Sequence, residues 1–250
     1  MDYQDYILKN NNNEFHFWFS ARLKLIENLL KNFLFATNKK LILDLGCGTG
    51  TELEKLAKYG TVSALDINQS ALALAKEKKC QAILADIEKF TLPKENYDVI
   101  CCFDLLEHLN EDEKVLNNIC QSLKNNGYLF FTVPAVKSIF STHDLALSHR
   151  RRYNREELNH KLIKTGFTVM SLGYWNSILF PLEAAVRIIK RFLYFRLFKK
   201  IDLRPDTKPI NSTMNKIFFA VLNLENILID HGMKFPFGLT IYGVAKKNVS

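Results

Sequence analysis

The stretch that most restricts the fold begins at Lys40, where KLILDLGCGTG runs from an apolar strand-like segment into a glycine-rich turn and then into the helical TELEKLAKYG. The alternation then repeats. VSALDI, AILA, YDVICCF and GYLFFTVP read as strands, and SALALAKEKK, NEDEKVLNNICQSLKN and NREELNHKLIKTG as helices, the last with an asparagine N-cap and a closing glycine. Strands alternating with helices call for right-handed crossovers, and so for a parallel sheet covered on both faces. Ligands of such sheets bind outside the carboxyl ends of the strands.

Two segments stand outside this pattern. After the polar run Asn10 to Asn13, FHFWFSARLKLIENLLKNFL sets Phe19, Leu23, Ile26, Leu30 and Phe33 at helical spacing, so an amphipathic helix precedes the sheet. Between the strand GFTVMSLGY and the last strand FGLTIYGVAKK lie about sixty residues, too many for an ordinary loop. Within them, Arg187, Lys190, Arg191, Arg196, Lys199 and Lys200 are set among aromatic and aliphatic residues, the composition of an interfacial helix. The two halves of that basic run fall on opposite helical faces, which a break near Tyr194 would reconcile. The apolar MNKIFFAVLNLENILIDHG reads as a second helix packed on the first; a lid, a dimer contact and a membrane contact all suit the pair. The expected division is a helical cover at 1–39, a core at 40–173 and 237–250, and a helical insertion at 174–236.

A formal charge of +8 permits an anionic partner without selecting one, and no stacking or base-reading motif points to nucleic acid. Cys47, Cys80, Cys101, Cys102 and Cys120 form no C-x-x-C pair, which favours a reducing compartment and argues against structural zinc. Cys47 reads as a small turn residue, and Cys101 and Cys102 as buried strand side chains. MDYQDYILKNNNN has no export signal, and no window reaches the length of a membrane span, so the expected location is cytoplasmic.

Gly46, Gly48 and Gly50 let backbone amides approach a ligand at the positive start of a helix. Thr51 stands where the dinucleotide fingerprint needs its third glycine, which counts against NAD and FAD. Asp66 ends the second strand about twenty residues on, where a carboxylate can accept from both ribose hydroxyls. Asp86 ends the third strand, and Phe103, Asp104, Glu107 and His108 follow the fourth, all at the same edge.

DLGCGTG, ALD, ADIE and FDLLEHL, in that order and at those intervals, resemble class I S-adenosylmethionine-dependent methyltransferases. EFHFWFSAR and STHDLALSHRRRYNREEL are similar to a bacterial subgroup akin to the ubiquinone-biosynthesis O-methyltransferases, whose E-x-H-W-W-F element has Phe17 here for its first tryptophan. With this resemblance, the expected fold is α/β: a Rossmann-like, seven-stranded, mostly parallel sheet with an antiparallel last strand, helices on both faces, and the helical insertion before that strand. S-adenosylmethionine is the implied cofactor. Gly46, Cys47 and Gly48 would contact its methionine part within the turn closed by Gly50, and Asp44 would orient that turn. Asp66, with Ile67 beside it, would hold the ribose; Asp86 and Ile87 would frame adenine, and Phe103 the methionyl side.

The implied reaction is methylation of a small or lipid-linked acceptor, with oxygen favoured; nucleic-acid methylation and a non-catalytic cofactor-binding module that docks on a membrane or partner are the alternatives. In-line displacement rests on positioning and desolvation, and an oxygen nucleophile also benefits from a general base. His149, His143 and His108 stand at the expected carboxyl edge and are the candidates, whereas His160 and His231 read as surface residues. Arg150 and Arg152 are candidate anchors for an anionic acceptor group, with Tyr153 packing inward. Trp18 belongs to an aromatic run that suits either a wall of the substrate site or helix packing. No metal is expected, because no ligand cluster of recognisable spacing stands out. Peripheral contact with the inner membrane face would go with a lipid-linked acceptor.

Overall fold

The computed structural model describes residues 16–34, 40–78, 80–186 and 211–248. The basic run from Arg187 to Lys200 and the polar run Asn10 to Asn13 lie outside these residues. The alternating segments build a seven-stranded sheet of order β3-β2-β1-β4-β5-β7-β6. Its strands are β1 Lys40–Leu45, β2 Gly60–Asp66, β3 Gln81–Leu84, β4 Tyr97–Phe103, β5 Leu123–Pro134, β6 Phe167–Trp175 and β7 Thr240–Lys247. β3, β2, β1, β4 and β5 pair in parallel, and β7 runs antiparallel between β5 and β6. Because β1 lies between β2 and β4, the order reverses there, and the crevice beyond the carboxyl ends of β1 and β4 is the switch point where such sheets take ligands.

The described helices are α1 Phe17–Phe33, α2 Leu53–Leu56, α3 Gln69–Lys76, α4 Asp112–Ser122, α5 Thr142–Ala146, α6 Arg155–Lys164 and α7 Ser212–Asp230, and residues 180–186 are also helical. Each sheet face carries its own apolar cluster. Ile42, Val99 and Phe130 pack with Leu30 of α1 and Leu222 of α7; Leu43, Ile100 and Phe131 pack with Leu116 of α4 and Leu158 of α6. Strands buried on both faces explain why YDVICCF and GYLFFTVP read as near-continuous apolar runs. Cys101 and Cys102 are accordingly buried and unbridged.

α7, which falls within the 174–236 insertion, is held to α1 and β6 by polar contacts as well as apolar ones. Trp175 Nε1 donates to Asn226 Oδ1 at 2.8 Å, and Asn226 Nδ2 donates to the Ala21 carbonyl at 2.8 Å. The ring of Phe17 meets that of Phe218 with 5.1 Å between centroids. Among the described residues, no helix is long and apolar enough to cross a membrane.

Local outcomes depart from the sequence pattern at five places. α1 buries Phe17, Ala21, Leu25 and Leu29 beside Arg22, Ile26 and Leu30, so its inward face is rotated from the one set by Phe19, Leu23 and Phe33. The segment TELEKLAKYG gives only the four-residue α2, since β2 already starts at Gly60, which passes so close to Lys40 that a Cβ there would lie 2.0 Å from the Lys40 carbonyl oxygen. α4 ends at Ser122 and LKNN joins β5 instead, with Leu123 buried and Lys124 paired to Asp98 at 2.9 Å. Asn154 occupies the N-cap of α6 without a side-chain capping bond. THDLA, which the strand–helix alternation does not include, is helical, with Ser141 and Asp144 forming a capping box.

Candidate functional site

The glycine turn is held from β2. The amides of Gly46 and Cys47 donate to the Leu65 carbonyl at 2.8 and 3.2 Å, and the Gly48 amide donates to Asp66 Oδ2 at 2.8 Å. All three glycines have positive φ, yet their surroundings differ. A Cβ on Gly46 would meet Leu105 at 2.9 Å and one on Gly50 would meet Leu53 at 2.5 Å, while one on Gly48 would have nothing within 4 Å. Gly48 therefore opens onto space that a side chain would fill, which is the shape needed for close approach of a ligand to the backbone. Cys47 is buried, and burial, then the charge of Asp44, pushes its thiol pKa up, as befits a turn residue rather than a nucleophile.

Asp66 also accepts from the Asn68 amide at 2.8 Å through Oδ1. An ionised carboxylate has about four acceptor sites, so two backbone bonds leave capacity for ribose hydroxyls. Asp44, expected to orient the turn, is buried, and its Oδ2 makes no hydrogen bond with the described residues. Burial, reinforced by the negative charge of Glu52, raises its pKa well above the usual carboxylate range. Asp86 accepts from the Glu88 amide at 3.0 Å and pairs with Lys89 at 3.0 Å, beside a depression of about 480 Å³ lined by Asp86, Glu88, Lys89, Asn110 and Glu111. Ile87 and Phe103 are buried behind this edge, and Ile67 stands exposed beside Asp66. The open face of Gly48 and the spare acceptors of Asp66 fit a nucleoside-bearing cofactor.

Two residues of α1 reach the same edge. Arg22, buried in spite of its charge, forms ion pairs with Glu52, just before α2, and with Asp104, just after β4. Its guanidinium lies 5.2 Å from the ring centroid of Trp18, and that ring packs against Trp175 at 5.9 Å. Trp18 is thus part of the packing between α1 and β6 as well as a neighbour of the charged cluster. Pattern reading passes over Arg22, because an arginine within an apolar face gives no sign of having partners until the fold brings them.

Beyond β4 and β5 the chain gathers a second cluster. His108 Nδ1 lies 3.2 Å from the Ser148 carbonyl, and since a carbonyl only accepts, that nitrogen carries the hydrogen. Burial, then the neighbouring His149, lowers the His108 pKa to about 4, so the ring is neutral at neutral pH. His149 Nδ1 lies 3.1 Å from Asp144 Oδ1, and its Nε2 faces Glu107 Oε1 at 3.8 Å. Glu107 is fully buried, with no hydrogen bond from either oxygen to the described residues; burial first, then Asp104, pushes its pKa well up. His143 sits half-buried on α5, one residue before Asp144. His160 and His231 are exposed.

Glu107, His108 and His149 each place a ligand-type atom within 4.8 Å of the others, an arrangement that could gather round one cation. Sequence spacing conceals this grouping, because His149 arrives from beyond β5. The three arginines diverge. Arg150 donates to the His108 carbonyl and remains exposed, and Arg151 donates to the carbonyls of Leu109 and Asn110. Arg152 is buried on Asp144, at 2.7 Å, and on the Ala135 carbonyl, at 2.8 Å. Tyr153 points inward, its hydroxyl donating to Asp112 at 2.8 Å.

Comparison with known proteins agrees with this geometry. Residues 43–131 match the family model described as a methyltransferase domain. A ubiquinone biosynthesis O-methyltransferase from Coxiella burnetii is 34% identical over 119 residues, covering 45% of this chain and 49% of that one. One from Histophilus somni is 32% identical over 106 residues, covering 38% and 44%. The chain thus spans about half the length of the curated relatives it matches. Among solved structures, an S-adenosylmethionine-dependent methyltransferase from Mesorhizobium loti superposes with a TM-score of 0.59 at 15% identity over 88% of this chain and 96% of that one. A Haemonchus contortus phosphoethanolamine-type N-methyltransferase, in complex with phosphomonomethylethanolamine and S-adenosylhomocysteine, gives 0.57 at 20% identity over 90% and 53%. The cyclase SpnF gives 0.58 at 17% identity over 91% and 81%, so the fold by itself does not fix a reaction.

Residues 43–131 thus match a methyltransferase domain, set within a seven-stranded sheet of the Rossmann-like methyltransferase fold. S-adenosylmethionine is the cofactor that goes with that domain.

Proposed function

We propose that this chain transfers a methyl group from S-adenosylmethionine to an oxygen of a small or lipid-linked acceptor. The observation that carries the reading is that the open Gly48 turn, tied to Asp66, follows β1 while the His108 and His149 cluster follows β4 and β5, so both stand beyond carboxyl ends of the parallel strands. The O-methyltransferase names of the curated relatives support oxygen as the acceptor atom. Bound S-adenosylmethionine supplies a methyl group carried on a positively charged sulfur.

The chain's own residues do the rest. The turn at Gly46, Cys47 and Gly48, its amides tied to Leu65 and Asp66, lies against the cofactor, the spare acceptor sites of the Asp66 carboxylate bind it, and Asp86, Ile87 and Phe103 flank it. His149 is the base that takes the acceptor's proton, in preference to His108, whose low pKa makes it a weak one, and His143. Exposed Arg150 is the anchor for an anionic acceptor group, a role less suited to Arg152, which is already engaged with Asp144. The test is transfer of labelled methyl from S-adenosylmethionine to quinone precursors, extracted polar lipids and nucleotide sugars. Transfer to one class supports the reading and names the acceptor; cofactor binding without transfer to any class would favour a non-catalytic module.

A peripheral membrane contact accompanies a lipid-linked acceptor. Ile217, Leu224 and Ile227 of α7 are about half exposed, close in sequence to the basic run at 187–200. Apolar side chains beside lysine and arginine suit an anionic lipid surface at the cytoplasmic side. Sedimentation with anionic vesicles tests this; protein left in the supernatant would overturn it.

A further inference from the structure

The segment from His108 to Glu111, between β4 and α4, is gripped by both its carbonyls and its amides. Arg150 Nε donates to the His108 carbonyl at 2.9 Å, and Arg151 donates to the carbonyls of Leu109 and Asn110 at 2.9 and 2.8 Å. The amides go to Glu88, which follows β3. Its Oε1 accepts from the amides of Asn110 and Glu111 at 2.8 and 3.0 Å, and its Oε2 accepts from Asn110 Nδ2 at 3.0 Å. Leu109 is buried in the same apolar cluster as Ile87, so packing joins the two segments as well. A carboxylate with three donors, all supplied by a segment that is itself fixed, has little freedom to move.

Glu88 passes this fixity to Asp86. The Glu88 amide donates to Asp86 Oδ1 at 3.0 Å, and the amides of Lys89 and Phe90 donate to the Asp86 carbonyl at 3.0 and 2.8 Å, closing a turn over residues 86–90. The other partner of the Asp86 carboxylate is the exposed Lys89 at 3.0 Å. An ionised carboxylate has about four acceptor sites, so about two remain for a donor on a ligand. Asp86, Glu88 and Asn110 all line the depression of about 480 Å³ at this edge. We propose that Glu88 is a positioning residue for nucleobase selectivity: its grip on Asn110 and Glu111 holds the 86–90 turn so that Asp86 presents an acceptor to the adenine amino group. In this it deepens, and rests on, the cofactor reading given above. Asp86 touches the base and Glu88 acts through it, whereas the ribose and methionine parts stand on Asp66 and the glycine turn. Glu88 should therefore govern the preference for adenine over a base that lacks the amino group, because an acceptor placed for a donor discriminates only against the ligand without one.

Calorimetry of the full chain tests this with S-adenosylhomocysteine and with its analogue bearing hydrogen in place of the adenine amino group. The wild type should bind the amino form about tenfold more tightly, the scale of one hydrogen bond to a charged group at a partly exposed site. Three substitutions separate reach from charge. Glu88→Gln keeps the length and an acceptor oxygen for the two amides, and should keep the preference. Glu88→Asp keeps the charge but falls a methylene short, and Glu88→Ala removes the grip. Both should bring the ratio to within about twofold of one, by weakening the amino form alone. Circular dichroism checks the fold of each, and if Glu88→Ala does not fold, the Asp and Gln pair carries the test. A merely structural role would weaken both compounds alike, so a wild-type ratio in folded Glu88→Ala or Glu88→Asp overturns the proposal. A ratio kept in Glu88→Asp and lost in Glu88→Gln overturns it too. Equal affinity of the wild type for the two compounds would overturn this proposal alone, by taking Asp86 off the base. A folded wild type that binds neither would overturn the cofactor reading and this proposal with it.

Discussion

The Gly48 amide donates to Asp66 Oδ2 at 2.8 Å, tying the turn after β1 to the end of β2. One carboxylate thereby shapes the ligand-facing loop and offers its remaining acceptor sites to whatever the loop holds. Replacing Asp66 with alanine should cost about 2 kcal/mol of cofactor affinity, the scale of a charge-assisted hydrogen bond, or roughly a thirtyfold rise in Kd. Equilibrium dialysis with labelled S-adenosylmethionine measures it; an unchanged Kd would remove Asp66 from the site.

Gly48 and Gly50 separate binding from folding. Gly50→Ala drives a Cβ into Leu53 and against Ala75 at positive φ, and should destabilise the fold by about 2 kcal/mol, seen as a lower Tm. Gly48→Ala meets open space, and should cost about 1 kcal/mol of stability for its positive φ while abolishing most cofactor binding. Equal effects of the two substitutions on binding would contradict the assignment of Gly48 as the point of closest approach.

How far these features could be read beforehand follows from what each one depends on. The strand–turn–helix alternation from Lys40 to Pro134 gave the sheet because its signals are local, and the glycine turn and Asp66 were legible because successive strand ends must share an edge. The inward face of α1 was misjudged because Arg22 enters it, held by Glu52 and Asp104, which lie 30 and 82 residues away in the chain. The grouping of Glu107 with His108 and His149, and the Asp144 contact behind it, depends on the chain returning after β5 across the end of β4. No spacing rule records that return. The length of α2 was set by the close passage of Gly60 against β1, a tertiary constraint that helix propensity does not contain.

Arg22 should be structurally costly to remove. Arg22→Met leaves Glu52 and Asp104 without their cation in a mostly buried site and should lower stability by about 3 kcal/mol in urea unfolding. A loss under about 1 kcal/mol would mean that water replaces the guanidinium without difficulty.

The contact between α1 and α2 should depend on pH. The hydrogen bond from Lys58 lowers the Glu27 pKa from 4.5 to about 2, with Lys55 adding to it against a smaller burial effect. The folded pKa lies below the unfolded one, so this contribution is complete above about pH 4.5 and fades as the pH falls toward 2. Glu27→Gln should therefore be less stable than the wild type at neutral pH and approach it on acidification. A gap that persists at pH 2, or one indifferent to salt at neutral pH, would be inconsistent with the ion pairs.

The most direct measurement is titration calorimetry of the purified chain with S-adenosylmethionine and with S-adenosylhomocysteine. Saturable binding of both to the wild type, lost in Gly48→Ala of unchanged circular dichroism, is the predicted result. A folded wild type that binds neither would contradict the cofactor site and the methyl-transfer reading built on it.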